Sequence, residues 1–202
     1  MKHIILISLS IVLLFSGCLG IPEDYDYAPA NKSNVVEMTT WDFIKSRPDV
    51  FSEFTDAIRK TGIDTTLYYS STTKYTYLLL NNSAMGSLNA ILGSITPSNK
   101  TRWENLLKYH IIDGYYHGLG VLNFDPTPVV TLWRSPDAYM SLQLENRNSF
   151  NYSRLIVNGL DPVTQSLTTS LKYAVTSNLM CTNSICHVLN RHARPVNNNT
   201  FN

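Results

Sequence analysis

The segment LLKYHIIDGYY, at residues 106–116, is the stretch of sequence that decides how this chain folds. Its first half has helical spacing, because three of its residues fall near one face of a helix: Leu106, Leu107 and His110. Immediately upstream, TRWE at 101–104 has the pattern of a capping box, in which Thr101 and Glu104 each bond the other's backbone. The sequence therefore predicts a helix that starts here, ends at about Ile111 and is followed by a glycine.

The residues before this segment have the patterns of two further helices around one strand. Asp49 can cap a helix that ends at Gly62, and the apolar residues of one face follow helical spacing: Phe51, Phe54 and Ile58. Residues 75–80 are aromatic or apolar and too few for a helix, which predicts a buried strand. Residues 83–92 return to helical spacing, and Gly93 ends the pattern.

The residues after this segment have the patterns of short strands. The alternating or apolar runs lie at 129–133, 140–144, 155–157, 171–175 and 185–189. Helices gathered before strands favour an α+β fold with a mixed or antiparallel sheet over a doubly wound nucleotide-binding fold.

Composition limits the chain to one globular domain. The chain has 202 residues, of which 44% are hydrophobic and 15% charged, so it can bury a sizeable core. Its 16 basic residues nearly balance 15 acidic residues, which leaves no excess of positive charge for binding nucleic acid. Three cysteines are too few for a dense disulfide scaffold.

The first residues have the pattern of an export signal. A lysine and a histidine precede an apolar run at 4–15, which is too short to span a membrane. The run leads into FSGC at 15–18, which resembles the lipobox of bacterial lipoproteins and implies that Cys18 becomes the acylated first residue. We therefore predict a signal peptide at 1–17 and a lipid-anchored, flexible tether at 18–38. The alternative is an ordinary secretory signal, after which the cysteine stays free.

A short acidic cluster follows the lipobox, at Glu23, Asp24 and Asp26. It resembles the sorting signals that send some lipoproteins to the outer face of the outer membrane, although such a run is also typical of a solvated linker. The sequence thus predicts a lipid-anchored protein of the bacterial cell envelope, on the outer membrane. It leaves open whether the domain faces the periplasm or the outside.

Several segments, taken in order, resemble the fasciclin domain. They are TTWDFIKSRPDVFSEFTDAIRKTGI at 39–63, YTYLLLNNSAM at 75–85, LLKYHIIDGYY at 106–116, Thr131-Leu132, and NSICHVLNRHARP at 183–195. The resemblance implies a domain at 39–195, in which a β-wedge with a mixed or antiparallel sheet is flanked by several helices. An Asn-rich end at 196–202 is predicted to be a disordered tail. Ser184 departs from the family's glycine, which implies strain if this residue has a positive φ.

Aromatic residues just beyond His110 are the candidate binding residues. Three of them lie in a loop flanked by glycines, where exposed rings can stack on sugars or anchor a protein partner: Tyr115, Tyr116 and His117. Tyr109 and His110 are weaker candidates, because the resemblance implies that His110 and His187 hydrogen-bond within the core.

Cys181 and Cys186 remain once Cys18 is acylated. An even pair in an exported protein can form a disulfide. The alternative is two free, buried thiols, since strand alternation would point the two side chains apart and the resemblance implies an apolar core position at 186.

The sequence has no pattern typical of a catalytic, metal or cofactor site. No histidines have HExxH spacing and no serine stands in GxSxG, so we expect no enzyme, no metal and no cofactor. The resemblance implies adhesion or macromolecular binding, with a surface protein or a polysaccharide as partner. The alternative is an accessory glycan-binding lipoprotein of an outer-membrane sugar-uptake system. The sequence does not indicate an oligomeric state.

Overall fold

Helices gather in the first half of the chain and strands dominate the second half. A computed structural model describes residues 34–118, 121–135, 139–145, 154–159, 168, 170–195 and 201. The helices among them are α1 (Thr40–Ser46), α2 (Pro48–Thr61), α3 (Thr66–Tyr69), α4 (Asn82–Leu92) and α5 (Lys100–Tyr109). The strands are β1 (Val35–Val36), β2 (Tyr75–Leu80), β3 (Ile111–Asp113), β4 (Thr127–Val129), β5 (Met140–Leu144), β6 (Leu155–Val157), β7 (Lys172–Cys181) and β8 (Ser184–Leu189). None of the described helices has the length and apolar character needed to cross a membrane.

Helix α2 begins at Pro48, so the prediction that Asp49 caps it is wrong. Proline fits the first helical turn because an N–H at this position would have no helical partner. The N-cap is Arg47, whose guanidinium pairs with the Asp49 carboxylate at 2.8 Å and leaves the helix without a side-chain cap. The predicted end is confirmed, because Gly62 adopts a φ of 65° and its N–H bonds the Ile58 carbonyl at 3.1 Å.

Helix α4 confirms the prediction to within one residue. Asn81 caps it, since its side-chain oxygen accepts the N–H of Ala84 at 3.0 Å. Gly93 ends the helix at a φ of 73°, a conformation that favours glycine.

Helix α5 starts one residue before Thr101, so the predicted capping box is wrong. The N-cap is Asn99, whose side chain is engaged by the preceding turn and donates to the Leu92 carbonyl at 3.1 Å. The helix ends at Tyr109 with His110 as its C-cap, two residues before the predicted end, and Ile111 already belongs to β3.

The described strands form one mixed sheet in the order β3-β2-β8-β7-β6-β5-β4. Strand β8 lies between β2 and β7, parallel to β2 and antiparallel to β7. The parallel register runs from Tyr75 opposite Ser184 to Leu80 opposite Leu189. This architecture confirms the α+β prediction with a mixed sheet flanked by helices.

The two edges of the sheet approach each other through the residues after β4. This strand stops at Val129 and does not reach Trp133, which shortens the predicted strand. The next residues pair with β3 instead, because Val130 accepts the Asp113 N–H and Leu132 donates to Ile111, both at 2.8 Å. The sheet is therefore nearly closed into a barrel.

The ordered domain begins earlier than the predicted boundary at residue 39. Strand β1 lies within the predicted tether and pairs in parallel with β7, with Val35 opposite Met180 and Val36 opposite Cys181. Residues 1–33, which carry the predicted signal peptide and Cys18, lie outside the described residues.

The core includes Phe201, beyond the predicted end of the domain at residue 195. Phe201 is only 3% exposed, although the sequence assigns it to a disordered tail. Its ring packs edge-on against Tyr109 and at a tilt against Trp133, and its carbonyl accepts the Asn105 amide at 3.0 Å. At this residue the chain is therefore packed and not a disordered tail.

Candidate functional site

The loop 114–118 follows β3 and carries the aromatic residues that the sequence predicts as a binding site. It opens with Gly114, whose φ is 115°. A Cβ at this position would lie 2.9 Å from the Tyr116 ring, so only glycine fits both the backbone and the packing.

Tyr116 holds this loop against the sheet. Its N–H donates to the Thr76 hydroxyl at 2.8 Å, and its carbonyl accepts from His187 Nε2 at 3.0 Å. Its ring packs against the core. Tyr116 is therefore an anchor of the loop rather than a ring offered to a partner.

The far end of the loop is fixed by an irregularity in β7. The Gly118 N–H donates to the Asn178 side chain at 2.7 Å, and the Asn178 N–H donates to His187 Nδ1 at 3.3 Å. Asn178 has a φ of 61° and lies where the β7–β8 register shifts. A β-bulge and a buried histidine together set the conformation of the loop.

His187 is a neutral structural residue. It is fully buried, and one ring nitrogen donates while the other accepts. Burial lowers its pKa to about 4, so its protonated form is disfavoured in the folded protein.

Tyr115 and His117, on either side of Tyr116, are half-buried. Their rings meet edge to face, with centroids 6.3 Å apart, and Lys74 Nζ lies 5.3 Å from the Tyr115 ring centroid. The Tyr115 hydroxyl donates to the Ser184 carbonyl at 3.4 Å, which ties the ring to the turn end of β8. We call Lys74, Tyr115 and His117 the Tyr115 group. It offers an aromatic face beside an exposed ammonium at one surface.

Tyr109 and His110 lie in the core, where neither ring reaches the surface. His110 Nδ1 donates to the Leu106 carbonyl at 2.8 Å, and its Nε2 accepts the Ala193 N–H at 2.9 Å. Burial lowers the pKa of His110 to about 4. The Tyr109 hydroxyl donates to the Tyr139 carbonyl at 2.9 Å. We therefore place both residues in the core and not at a binding surface.

Cys181 and Cys186 are free and buried, with their sulfur atoms 3.7 Å apart. The expectation that strand alternation would separate them is wrong, because both side chains point to the same interior cluster. In this cluster Thr40 and Ser184 bond each other and both contact the Cys186 thiol. A hydrogen bond from Cys186 lowers the pKa of Cys181, whereas burial raises that of Cys186.

Ser184 carries no backbone strain. It lies in β8 and does not have a positive φ, so a family glycine is not needed at this position. Its neighbour Asn183 ties the β7–β8 turn to two other elements, since it accepts the Thr40 N–H at 2.9 Å and donates to the Tyr68 carbonyl at 3.0 Å.

Sequence reasoning missed the residues that support the loop. Thr76 lies in β2 and Lys74 immediately precedes this strand. Only the pairing of β2 with β3 brings these two residues beside the loop. Asn178 did carry a signal, because an Asn in the middle of a strand is a common residue for a positive φ.

Comparison with known proteins gives one family. The model of the fasciclin domain matches residues 49–195. No curated protein sequence matches significantly. Among solved structures, the chain is similar to a FAS1 domain pair from the insect cell adhesion molecule fasciclin I, with 13% identity and a TM-score of 0.43. That similarity covers 78% of this chain and 45% of the other, so this chain spans less than half of that structure's length. Because the family model covers most of its residues, the chain belongs to the fasciclin domain family.

Proposed function

We propose that this chain is a non-catalytic, lipid-anchored protein of the bacterial cell envelope, whose fasciclin domain mediates adhesion by binding another macromolecule. Fasciclin domains are associated with adhesion or binding and are generally non-enzymatic. The proposal adds an anchor, a location and a contact surface to this general role.

The Tyr115 group is the observation that supports a binding surface. Its rings sit on a loop fixed at Tyr116 and Gly118, so little conformational entropy is lost when a partner covers them. Aromatic residues on rigid supports supply much of the free energy of protein interfaces.

The lipid anchor rests on the sequence FSGC at 15–18. Each buried methylene of an acyl chain contributes about 0.8 kcal/mol, so two or three chains on Cys18 would hold the protein durably on a membrane. The outer membrane is the proposed location, with a surface protein or polysaccharide as the partner.

The contact surface is tested with Tyr115→Ala in the mature chain, measured by binding of the purified protein to intact bacterial cells. Phe124→Ala is the matched control, because Phe124 is an exposed aromatic residue outside the Tyr115 group. We expect Tyr115→Ala to weaken binding at least tenfold, as truncation of an interface anchor does, and Phe124→Ala to leave it unchanged. Equal binding by both variants would place the contact surface elsewhere.

A second candidate is capture of a glycan, which is favoured by the Tyr115 ring beside an exposed ammonium. A glycan array probed with the wild-type protein and with Tyr115→Ala separates the two functions. A specific sugar signal that the variant loses supports glycan capture, whereas a blank array with retained cell binding supports a protein partner.

The anchor is tested independently with Cys18→Ala in a bacterial host. We expect the wild-type protein in the membrane fraction and the variant in the soluble fraction. An unchanged distribution would remove the lipid anchor from the proposal and leave the binding surface unaffected.

A further inference from the structure

A cavity at the end of the sheet opposite the Tyr115 group is surrounded by three basic side chains, those of Lys172, Arg191 and Arg194. The cavity has a volume of about 350 Å³ and is lined by Ser87, Ile91, Lys172, Arg191, His192 and Arg194. It lies where β7 begins, where the chain leaves β8, and beside helix α4. Tyr115 bonds Ser184 at the other end of β8, so this cavity and the Tyr115 group are separate.

None of the three basic residues is neutralised by an acidic one within the described part of the chain. Lys172 Nζ donates to the carbonyls of Ser170 and Leu171, at 3.4 and 3.0 Å, and Arg191 is exposed. Other described arginines do have carboxylate partners, as in the pair of Arg154 with Glu145 at 3.0 Å.

The three charges are close enough to affect one another. The pKa of Lys172 is lowered, first by burial and then by the charges of Arg194 and Arg191. Like charges held together without an acidic partner cost free energy, and a bound anion would offset that cost. The chain as a whole has a net charge of only +1, so the cluster does not follow from a generally basic composition.

His192 orients one of the arginines toward the cavity. Its ring is buried, and its Nε2 accepts the Arg194 Nε–H at 3.1 Å. Burial is the first cause that lowers the pKa of His192 to about 3, so the ring is a neutral acceptor. This bond fixes the plane of the guanidinium, while the terminal nitrogens of Arg194 have no partner among the described residues.

A buried donor without a hydrogen-bond partner lies next to this cavity. A smaller adjoining space of about 70 Å³ is also lined by His192 and Arg194 and reaches Arg102. The Arg102 Nε is buried and has no hydrogen-bond partner in the described structure. Unpartnered buried donors are uncommon in folded proteins and call for an explanation.

We propose that the Lys172–Arg191–Arg194 cavity binds a tetrahedral oxyanion, a phosphate or sulfate group carried by a larger ligand. Guanidinium groups present paired donors that match the oxygens of such an anion, and Lys172 adds a point charge. The shared chemistry has two sources, a sulfated polysaccharide and a phospholipid headgroup. This site is independent of the Tyr115 group and of the proposed adhesive role.

The site is tested by NMR titration of the mature protein with sodium sulfate and with sodium phosphate, at constant ionic strength. We expect saturable amide shifts confined to the residues around Lys172 and to 190–194. Arg191→Ala should raise the dissociation constant about tenfold, because a charge-assisted hydrogen bond to the anion is lost. Arg191 is exposed, so this change does not disturb packing.

Arg59→Ala is the matched control, since Arg59 is 79% exposed and pairs with Asp56 on α2, outside the cavity. It removes the same charge and should leave the dissociation constant unchanged. Arg194→Lys keeps the charge but removes the paired donors, and should weaken binding as well. The proposal is overturned if the wild-type protein shows no saturable shifts, or if Arg191→Ala and Arg59→Ala bind equally well.

The source of the anion is then identified with two probes, dextran sulfate and vesicles of phosphatidylcholine with phosphatidylglycerol. If the wild-type protein binds one of the two probes and Arg191→Ala does not, the result supports the site and identifies the class of ligand that carries the anion. Equal binding of wild type and Arg191→Ala to both probes contradicts the proposal, because contact would then be non-specific.

Discussion

At the scale of single residues, two of the buried histidines, His110 and His187, each join two segments of the chain. His110 connects the end of α5 to Ala193 beyond β8, and His187 connects the β7 bulge to the loop at Tyr116. One nitrogen of each ring donates and the other accepts, so each ring is neutral. Adding a proton would convert the accepting nitrogen to a donor and break a bond.

Protonation of these histidines should make stability depend on pH. The pKa values of His110 and His187 are lowered to about 4 in the folded protein, against about 6.5 for histidine in an unfolded chain. The unfolded chain therefore takes up protons first, so their contribution to stability is complete above pH 6.5 and is lost as the pH falls toward 4. We expect protonation of His110 and of His187 each to lower the free energy of unfolding by about 2 kcal/mol between pH 7 and pH 5. His192, whose pKa is lowered to about 3 by burial, adds to this loss.

Urea unfolding at pH 7, 6 and 5 measures this dependence. The range lies above the pKa of ordinary carboxylates, so the histidines dominate the change. A free energy of unfolding that is equal at pH 7 and pH 5 would contradict the neutral, hydrogen-bonded assignment.

The core role of His110 and His187 was implied by the family resemblance, and the structure agrees with it. The distinction between Tyr115 and Tyr116 could not be predicted, because two adjacent tyrosines in one loop have the same sequence pattern. Only the backbone bonds to Thr76 and His187 identify Tyr116 as the residue that anchors the loop.

At the scale of elements, the bulge in β7 holds the end of the loop 114–118 in place. Asn178 supplies both the positive φ of the bulge and the acceptor for the Gly118 N–H. These two contributions can be separated by substitution, because glycine tolerates the backbone and alanine does not.

We expect Asn178→Ala to lower the free energy of unfolding by about 2 kcal/mol, through the lost acceptor and the strained φ together. Asn178→Gly should lose only about 1 kcal/mol, because the strain is absent and only the acceptor is lost. Urea unfolding of both variants at pH 7 gives the comparison. Equal losses would mean that the φ of Asn178 does not matter to stability.

The sequence predicted elements well where apolar spacing was long, and poorly where a side chain decided a boundary. The body of α2 and the strand at 75–80 were confirmed because burial enforces their patterns. The start of α5 was missed because Asn99, engaged with the preceding turn, is the N-cap and Thr101 lies inside the helix. Such competition between nearby polar side chains depends on the turn geometry and not on the local pattern.

At the scale of the whole molecule, Phe201 packs onto α5 and extends the core there. Phe201 packs against Tyr109 and Trp133, whose rings also meet each other with centroids 6.0 Å apart. The cationic residues of the proposed anion site, like the β1 strand, could not be located from sequence, because long-range packing alone brings them together.

Phe201→Ala should therefore destabilise the protein by about 3 kcal/mol or more, the typical cost of removing a buried phenylalanine ring. Phe124→Ala removes an exposed ring and should change the free energy of unfolding by less than about 0.5 kcal/mol. Chemical denaturation of both variants is the measurement. A loss for Phe201→Ala as small as that of the control would show that the Phe201 ring does not contribute to the core.

The position of β8 has a consequence for the order in which the protein can form. Its partner β2 lies more than a hundred residues earlier in the chain, so their pairing closes a very long loop. While a ribosome is still making the second half, β2 has an open apolar edge of the kind that promotes association between nascent chains. The domain cannot complete the middle of its sheet until Leu189 has left the ribosome, so the pairing of β8 is a late step in its folding.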